Sequence, residues 1–375
     1  MRKYRGVLVG CFLVFATVKL SSASSVLVWG SGAATNVPPG LTNVVSVAAG
    51  SGHCLAVLPD GSVVSWGENS YSQTNVPMDL SNVVAVSGGF YHSLALKMDG
   101  TVVGWGRNTH AQRTMPEGLS NVVALAAGGE HSVALRSNGT VVNWGQYSDG
   151  TPTYSEMPIP ADRSNIVAIA AGSDHDLMLR SDGTVSGWGL DMDGQATVPP
   201  DLSNVVAIAC GGYHSLALRS DGVVIGWGRN YSGQTDMPPG LSNVVKITAG
   251  YEHNIAVRSD GTIVTWGAGL DGQTNAPAGV SNVVAITAGK PFSVALVEES
   301  TATPFVLIAK EWVYSNGVFS VSVQSRVGKM YRLEYKEKLS DSGWNQLPPQ
   351  SGDGGRIRLI GPATGPEAYF RVKEE

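Results

Sequence analysis

Between about residues 26 and 297 the chain repeats one pattern of apolar and polar positions. An apolar run is followed by a Gly-rich break, an alternating segment, a short turn and a second apolar segment ending in Trp-Gly. One unit, Asn204 to Pro239, shows what the pattern predicts. Asn204 to Cys210 is apolar nearly throughout, as expected of a strand covered on both faces. Its small Ala207 and Ala209 suit a crowded inner edge where neighbouring sheets converge. After Gly211-Gly212, the segment His214 to Arg219 alternates Leu216 and Leu218 with Ser215 and Ala217, giving a second strand. Asp221-Gly222 predicts a two-residue hairpin, which needs positive φ at its centre, and Val223 to Trp227 supplies the third strand. Arg229 to Pro239 is left as a loop with room for a short outer fourth strand.

The unit recurs in register. Trp-Gly begins at Trp29, Trp66, Trp105, Trp144, Trp188, Trp227 and Trp266, and the Asn-Val-Val or Asn-Ile-Val signature at Asn43, Asn82, Asn121, Asn165, Asn204, Asn243 and Asn282. Each signature therefore occurs seven times, and a repeat of this length is the mark of a propeller or solenoid. The Asp-Gly turn recurs at Asp60, Asp99, Asp182, Asp221 and Asp260, and as Asn138-Gly139, but is missing after Phe292 to Val297. An unused third strand, Val26 to Trp29, precedes the first unit. Placed beside the last second strand, it completes a seventh sheet and removes the open edge that would invite aggregation.

Segments such as Gly212-Tyr213-His214-Ser215-Leu216-Ala217-Leu218-Arg219 and Ile225-Gly226-Trp227-Gly228-Arg229-Asn230 resemble the regulator-of-chromosome-condensation (RCC1) repeat signature over about residues 26 to 297. The repeats are shorter than those of the nuclear members, and the layout is most similar to the bacterial secreted type that includes β-lactamase inhibitor proteins. The resemblance implies an all-β, seven-bladed propeller closed by its N-terminal strand, and a partner that is an extracellular or periplasmic enzyme blocked by binding.

Beyond residue 300 the repeat stops. Phe319 to Val323, Tyr331 to Tyr335, Ile357 to Ile360 and Tyr369 to Val372 read as strands of a small C-terminal β-sandwich-like domain, residues 305–375, after a linker at 300–304. At the other end, Arg2, Lys3 and Arg5, the apolar run Gly6 to Val18 and Ser21-Ser22-Ala23 read as a cleaved signal peptide over residues 1–23, so that the propeller occupies 24–299 and the mature protein is secreted or periplasmic. A lipoprotein box at Leu8 to Cys11 is the rival reading.

Composition sharpens this picture in two respects. Removing the four basic residues of the leader would move the formal charge from −5 to −9, since the segment holds no acidic residue. A chain this acidic, with no basic run, is a poor match for nucleic acid. No later stretch has the roughly 20 apolar residues of a membrane span. Cys54 and Cys210 fall in the first and fifth units, too far around a ring to form a disulfide.

Six histidines share one repeat position: His53, His92, His131, His175, His214 and His253, with Phe292 in the seventh. A metal-binding ring is conceivable chemistry, but without clustered carboxylates or thiols the expectation is structural, each ring donating to a backbone carbonyl. The repeated tryptophans are expected between sheets rather than on sugars. No catalytic motif and no cofactor motif is present, so neither an enzyme activity nor a metal or cofactor is expected.

Recognition is expected on one face. Strand direction alternates, so the loops between first and second strands share a face with the loops that follow Trp-Gly, opposite the Asp-Gly turns. That face carries Phe90, Tyr91, Glu130, Asp174, Tyr213, Tyr251 and Glu252 before the histidine position. It also carries Tyr71, His110, Met192, Asp193, Tyr231, Leu270 and Asp271, with an expansion around Tyr147 to Glu156. Tyrosines and carboxylates on short rigid loops suit binding of a protein ligand by a monomer. A carbohydrate-binding or carbohydrate-active protein is the alternative, for which Glu130 with Asp174, or Glu252 with Asp271, would be the carboxylate pairs. A cell-surface structural module is a third reading.

Overall fold

The computed structural model describes residues 24–146, 159–161 and 164–298, and then 312–315, 318–324, 330–336, 345–351, 356–362 and 369–374. The leader at 1–23, the linker at 300–304 and the expansion at 147–156 lie outside these residues. The chain divides into two compact units, Met1–Glu299 and Ser300–Glu375.

In the first unit, β1 (Ser24–Gly30) precedes six complete three-stranded antiparallel sheets. They are β2 (Ser46–Ala49), β3 (His53–Val57), β4 (Val63–Gly67); β5 (Val83–Gly88), β6 (His92–Lys97), β7 (Val102–Gly106); β8 (Val122–Ala127), β9 (His131–Arg136), β10 (Val141–Gly145); β11 (Ile166–Ala171), β12 (His175–Arg180), β13 (Val185–Gly189); β14 (Val205–Cys210), β15 (His214–Arg219), β16 (Val224–Gly228); and β17 (Val244–Ala249), β18 (His253–Arg258), β19 (Ile263–Gly267). A seventh sheet joins β20 (Val283–Ala288) and β21 (Phe292–Glu298) to β1. The register places Val26 opposite Leu296 and Val28 opposite Val294, so the first described strand is the outer strand of the last sheet. The inner strands pack side by side in chain order, and β20 packs against β2. The sheets thus form a ring.

Backbone hydrogen bonds run around that ring at every junction, at the start of the loops that follow the inner strands. Ser51 N donates to Gly89 O, Phe90 N to Gly129 O, Gly129 N to Gly172 O, Ser173 N to Gly212 O, Gly212 N to Tyr251 O, Tyr251 N to Gly289 O, and Lys290 N back to Ser51 O. This girdle explains the Gly-rich breaks. A Cβ on Gly50 would lie 2.5 Å from Gly89 O, so the neighbouring backbone can approach only a glycine.

Two turn features differ from the sequence reading. The Asp-Gly segment is a three-residue loop: Arg219 N donates to Val223 O and Gly222 N to Arg219 O, and only the glycine has positive φ, 80° at Gly222. This is a type I turn closed by a bulge rather than a two-residue hairpin. The aspartate is there for its side chain; Asp60 Oδ1 accepts from Ser62 N at 2.9 Å and Ser62 Oγ at 2.6 Å. The second left-handed position is the asparagine of Asn-Val-Val, with φ between 54° and 57° at all seven sites from Asn43 to Asn282. Its amide side chain tolerates that conformation. The predicted outer fourth strand is absent among the described residues: a short 3-10 helix (Ala33–Thr35) follows Trp29-Gly30, turns follow the Trp-Gly pairs at Trp66, Trp105, Trp188, Trp227 and Trp266, and the expansion after Trp144-Gly145 lies outside the described residues.

Alternating burial forms the core between sheets. Trp29, Trp66, Trp105, Trp144, Trp188, Trp227 and Trp266 are 4–8% exposed, and Leu55, Leu94, Leu177, Leu216 and Ile255 are fully buried. Burying each large side chain contributes about 1.5–3 kcal/mol. The six histidines are buried as well, but their Nε2 atoms face side chains of the next sheet rather than a carbonyl. His53 meets Ser93 Oγ at 2.9 Å, His92 meets Ser132 at 3.0 Å, His175 meets Ser215 at 3.0 Å, His214 meets Asn254 Oδ1 at 2.7 Å and His253 meets Ser293 at 2.8 Å. Ser93 Oγ in turn donates to Gln73 O, which also accepts Trp105 Nε1. The acceptors at Gln73, Gln112, Gln195, Gln234 and Gln273 carry no mark in the apolar pattern and were not singled out from it. His131 is the exception, with Asp176 Oδ1 at 2.9 Å. Asp176 raises the His131 pKa against the opposing effect of burial.

The second unit contains two antiparallel sheets. One joins β22 (Trp312–Ser315), β23 (Val318–Gln324) and β27 (Arg356–Pro362); the other joins β25 (Asn345–Gln346), β24 (Met330–Lys336) and β26 (Gln350–Ser351), with β28 (Tyr369–Glu374) on β24.

Candidate functional site

The loops following the inner strands, joined by Tyr71 from the loop after β4, bring a band of aromatic rings together across the mouth of the ring. Tyr71 and Tyr91 lie 4.8 Å apart, Tyr91 and Phe90 6.2 Å, Phe90 and Tyr251 5.9 Å, and Tyr251 and Tyr213 5.7 Å between centroids. Phe90 comes from the second unit and Tyr251 from the sixth, so they meet over the axis. Glycines make the seats: a Cβ on Gly129 would lie 3.1 Å from the Phe90 ring, and one on Gly212 2.8 Å from that of Tyr251. Tyr71 is 45% exposed and Tyr231 84% exposed, while Phe90, Tyr91, Tyr213 and Tyr251 are half-buried.

Cations stack against this band. The Arg107 guanidinium lies 5.0 Å from the Tyr71 ring and 5.5 Å from Tyr91; Arg229 lies 4.0 Å from Tyr213 and 5.4 Å from Tyr231; Lys290 lies 4.8 Å from Tyr251. Such contacts hold rings at fixed angles and are worth about 0.5–1 kcal/mol each at exposed positions. The arginines were not among the residues expected at the site. Their signal is Trp-Gly-Arg-Asn, present at Trp105 and Trp227 alone among the seven Trp-Gly pairs. Burial, and a hydrogen bond with Tyr213, raise the Tyr251 hydroxyl pKa, so that ring stays neutral.

The carboxylates divide. Glu130 is only 8% exposed; its Oε1 accepts from Arg107 Nη1 at 2.8 Å, while Oε2 meets Gln112 Nε2 and lies 3.5 Å from His110 Nδ1. Burial nevertheless pushes the Glu130 pKa up, opposed by Arg107 and His110. Asp193 is held by Arg229, with Nη2 at 2.8 Å. A pocket of about 390 Å³ opens over these groups, lined by Phe90, Glu130, Asp174, Met192, Tyr213 and Arg229 among others. The structure therefore brings Glu130 and Asp174 to one pocket, with Glu130 engaged in internal bonds. Glu252 is half-buried away from that pocket, and Asp271 Oδ1 accepts from Ser31 Oγ at 2.9 Å. Leu270 is fully exposed and Met192 is 77% exposed. Among the described residues no group of three or more His, Cys, Asp or Glu side chains is arranged to hold a metal, and no helix is long and apolar enough to cross a membrane.

The model of the family described as the regulator of chromosome condensation (RCC1) repeat matches six segments: residues 44–73, 83–112, 122–150, 166–195, 205–234 and 244–273. No curated protein sequence matches the chain. Among solved structures, Prp20p from Saccharomyces cerevisiae is similar with a TM-score of 0.63 and 21% identity, covering 75% of this chain and 93% of that one. Human WBSCR16 is similar with a TM-score of 0.57 and 23% identity, covering 68% and 87%. The ectodomain of the Physcomitrella patens receptor kinase CR4 is similar with a TM-score of 0.55 and 24% identity, covering 69% and 72%. At these identities the likeness is one of fold.

Proposed function

Since the chain belongs to the RCC1-repeat β-propeller family, we propose that it is a non-enzymatic recognition module, its seven sheets acting as blades that present one loop face to a protein partner. The observation that carries this reading is the unbroken band from Tyr71 through Tyr91, Phe90, Tyr251 and Tyr213, flanked by Arg107 and Arg229. Tyr and Arg are the residues that dominate binding energy at protein interfaces, because they cover a large area with few torsions to freeze. The girdle of backbone hydrogen bonds beneath them holds the loops in place before binding, which lowers the ordering cost. Prp20p has binding properties toward Gsp1p and histones, a precedent for a protein ligand on this fold.

The finer reading is a secreted or periplasmic protein that acts as a monomer and blocks an enzyme. It is supported by the N-terminal leader pattern and the acidic formal charge. Glycan hydrolysis is disfavoured because Glu130, one of the three carboxylates lining the pocket, is bonded to Arg107 and Gln112, and Asp193, another, is held by Arg229. The test is capture from the native extracellular fraction with the intact chain and with a Tyr91→Ala, Tyr213→Ala, Tyr251→Ala variant. The intact chain is expected to retain a partner that the variant loses; retention of every partner by the variant overturns the assignment.

A further inference from the structure

The ring encloses an axial cavity of about 200 Å³ whose walls are the inner strands. Its lining is mostly alanine, valine and glycine, and includes no aspartate or glutamate among the described residues. One inner strand breaks the pattern with a charge. Lys246 occupies the position held by Ala85, Ala124, Ala168, Ala207 and Ala285 in five other sheets and by Ser46 in the first. Lys246 lines the cavity and makes no hydrogen bond or ion pair among the described residues. Burial pushes its pKa down. Lys246 is only partly buried, so its ammonium group, which has no counter-charge in the cavity lining, is open to an anion that enters.

The two ends of the cavity differ. At the loop face, Phe90 and Tyr251, both in the lining, meet at 5.9 Å and form a roof. At the opposite face Val244 N is bonded to Gly222 O of the hairpin turn, so Lys246, third residue of its strand, stands near that end. Val45 and Val284, second residues after their asparagines, line the same end. A guest would therefore meet Lys246 near the hairpin face and an apolar interior beyond it, roofed by Phe90 and Tyr251, with Lys290 on Tyr251 at the loop-face rim. A volume of about 200 Å³ accommodates on the order of seven groups of water or methylene size at roughly 30 Å³ each.

We propose that the axial cavity binds a linear medium-chain aliphatic carboxylate, its head group paired with Lys246 at the hairpin face and its tail directed toward Phe90 and Tyr251. This site is separate from the loop face and does not rest on the partner-binding reading.

The experiment is calorimetric titration of the full chain with butanoate, hexanoate, octanoate and 1-octanol, repeated with Lys246→Met and Lys246→Ala. The alanine variant installs the residue found at five equivalent positions, and tryptophan fluorescence verifies its fold. Saturable one-to-one binding of octanoate is expected, tightening by up to about fourfold per methylene from butanoate onward, as burial of a CH₂ in an apolar site requires. Both variants are expected to bind octanoate at least about tenfold more weakly, and wild type to bind 1-octanol more weakly than octanoate by a similar factor. Three results would each overturn the proposal: no saturable octanoate binding, equal affinity in Lys246→Met, or equal affinity for the alcohol.

Discussion

The junction that closes the ring offers a sharp test of what the buried histidines do. At six junctions a histidine ring meets a polar side chain on the next sheet; at the seventh, Phe292 faces the sheet of Cys54, and both are buried. The seats are equivalent, since a Cβ on Gly289 would lie 2.2 Å from Phe292 Cε1 and one on Gly50 2.2 Å from His53 Cε1. Phe292→His therefore fits sterically, but it gives up apolar burial and points an imidazole nitrogen at a thiol, a weak partner. A cost of about 2–3 kcal/mol is expected. Cys54→Ser alone places a hydroxyl where it can donate to Ala34 O, which already accepts Trp66 Nε1 at 2.8 Å, and should cost no more than about 1 kcal/mol. Together they recreate the His-Ser pair found at four of the other junctions. The double variant should recover about 1–2 kcal/mol relative to the sum of the two single changes. Urea unfolding followed by tryptophan fluorescence, with unchanged m values, measures this coupling. Additivity within about 0.5 kcal/mol would refute the view that these pairs hold adjacent sheets together.

Further predictions come from the same network. Burial holds His53, His214 and His253 at about 4 and His92 and His175 at about 3, so these rings stay neutral in the fold while the unfolded chain protonates them below about 6.5. Their stabilisation is fully present above pH 6.5 and is lost progressively below it, as pH falls through about 4 and then about 3; a urea midpoint that stays flat between pH 7 and 5 would contradict this. At His131–Asp176, where both partners are buried, Asp176→Ser should leave stability unchanged or raise it by about 1 kcal/mol at pH 7, because it removes a buried carboxylate whose Oδ2 has no hydrogen-bond partner. His131→Ala should cost about 3–5 kcal/mol by stranding that carboxylate; equal urea midpoints for the two variants would refute the assignment. At Asn243, with φ 55°, Gly should be tolerated within a few tenths of a kcal/mol while Val costs more than about 1 kcal/mol, measured by thermal denaturation.

What the sequence determined was local and periodic. Each apolar run, glycine break and alternating segment fixes a strand and its buried side through its own spacing, so the strands from Ser46 to Glu298 were legible without coordinates. The orphan strand ending at Trp29 was legible too, because a repeat lacking its third strand at one end and carrying a spare at the other has one economical pairing. Tertiary structure decided everything that depends on the curvature of the ring. Phe90 touches Tyr251 across the axis, Glu130 turns inward onto Arg107 and Gln112, and Lys246 lines the central cavity; the repeat pattern placed Phe90 and Glu130 on the loop face, but what each of them meets there depends on the ring. The asparagine signature was visible as a motif, yet its left-handed φ, like the bulge after Asp-Gly, follows from how one strand must leave a turn to join the next sheet. Hydrophobic spacing encodes which side of a strand is buried; which distant loops then meet depends on how many such strands close around one axis.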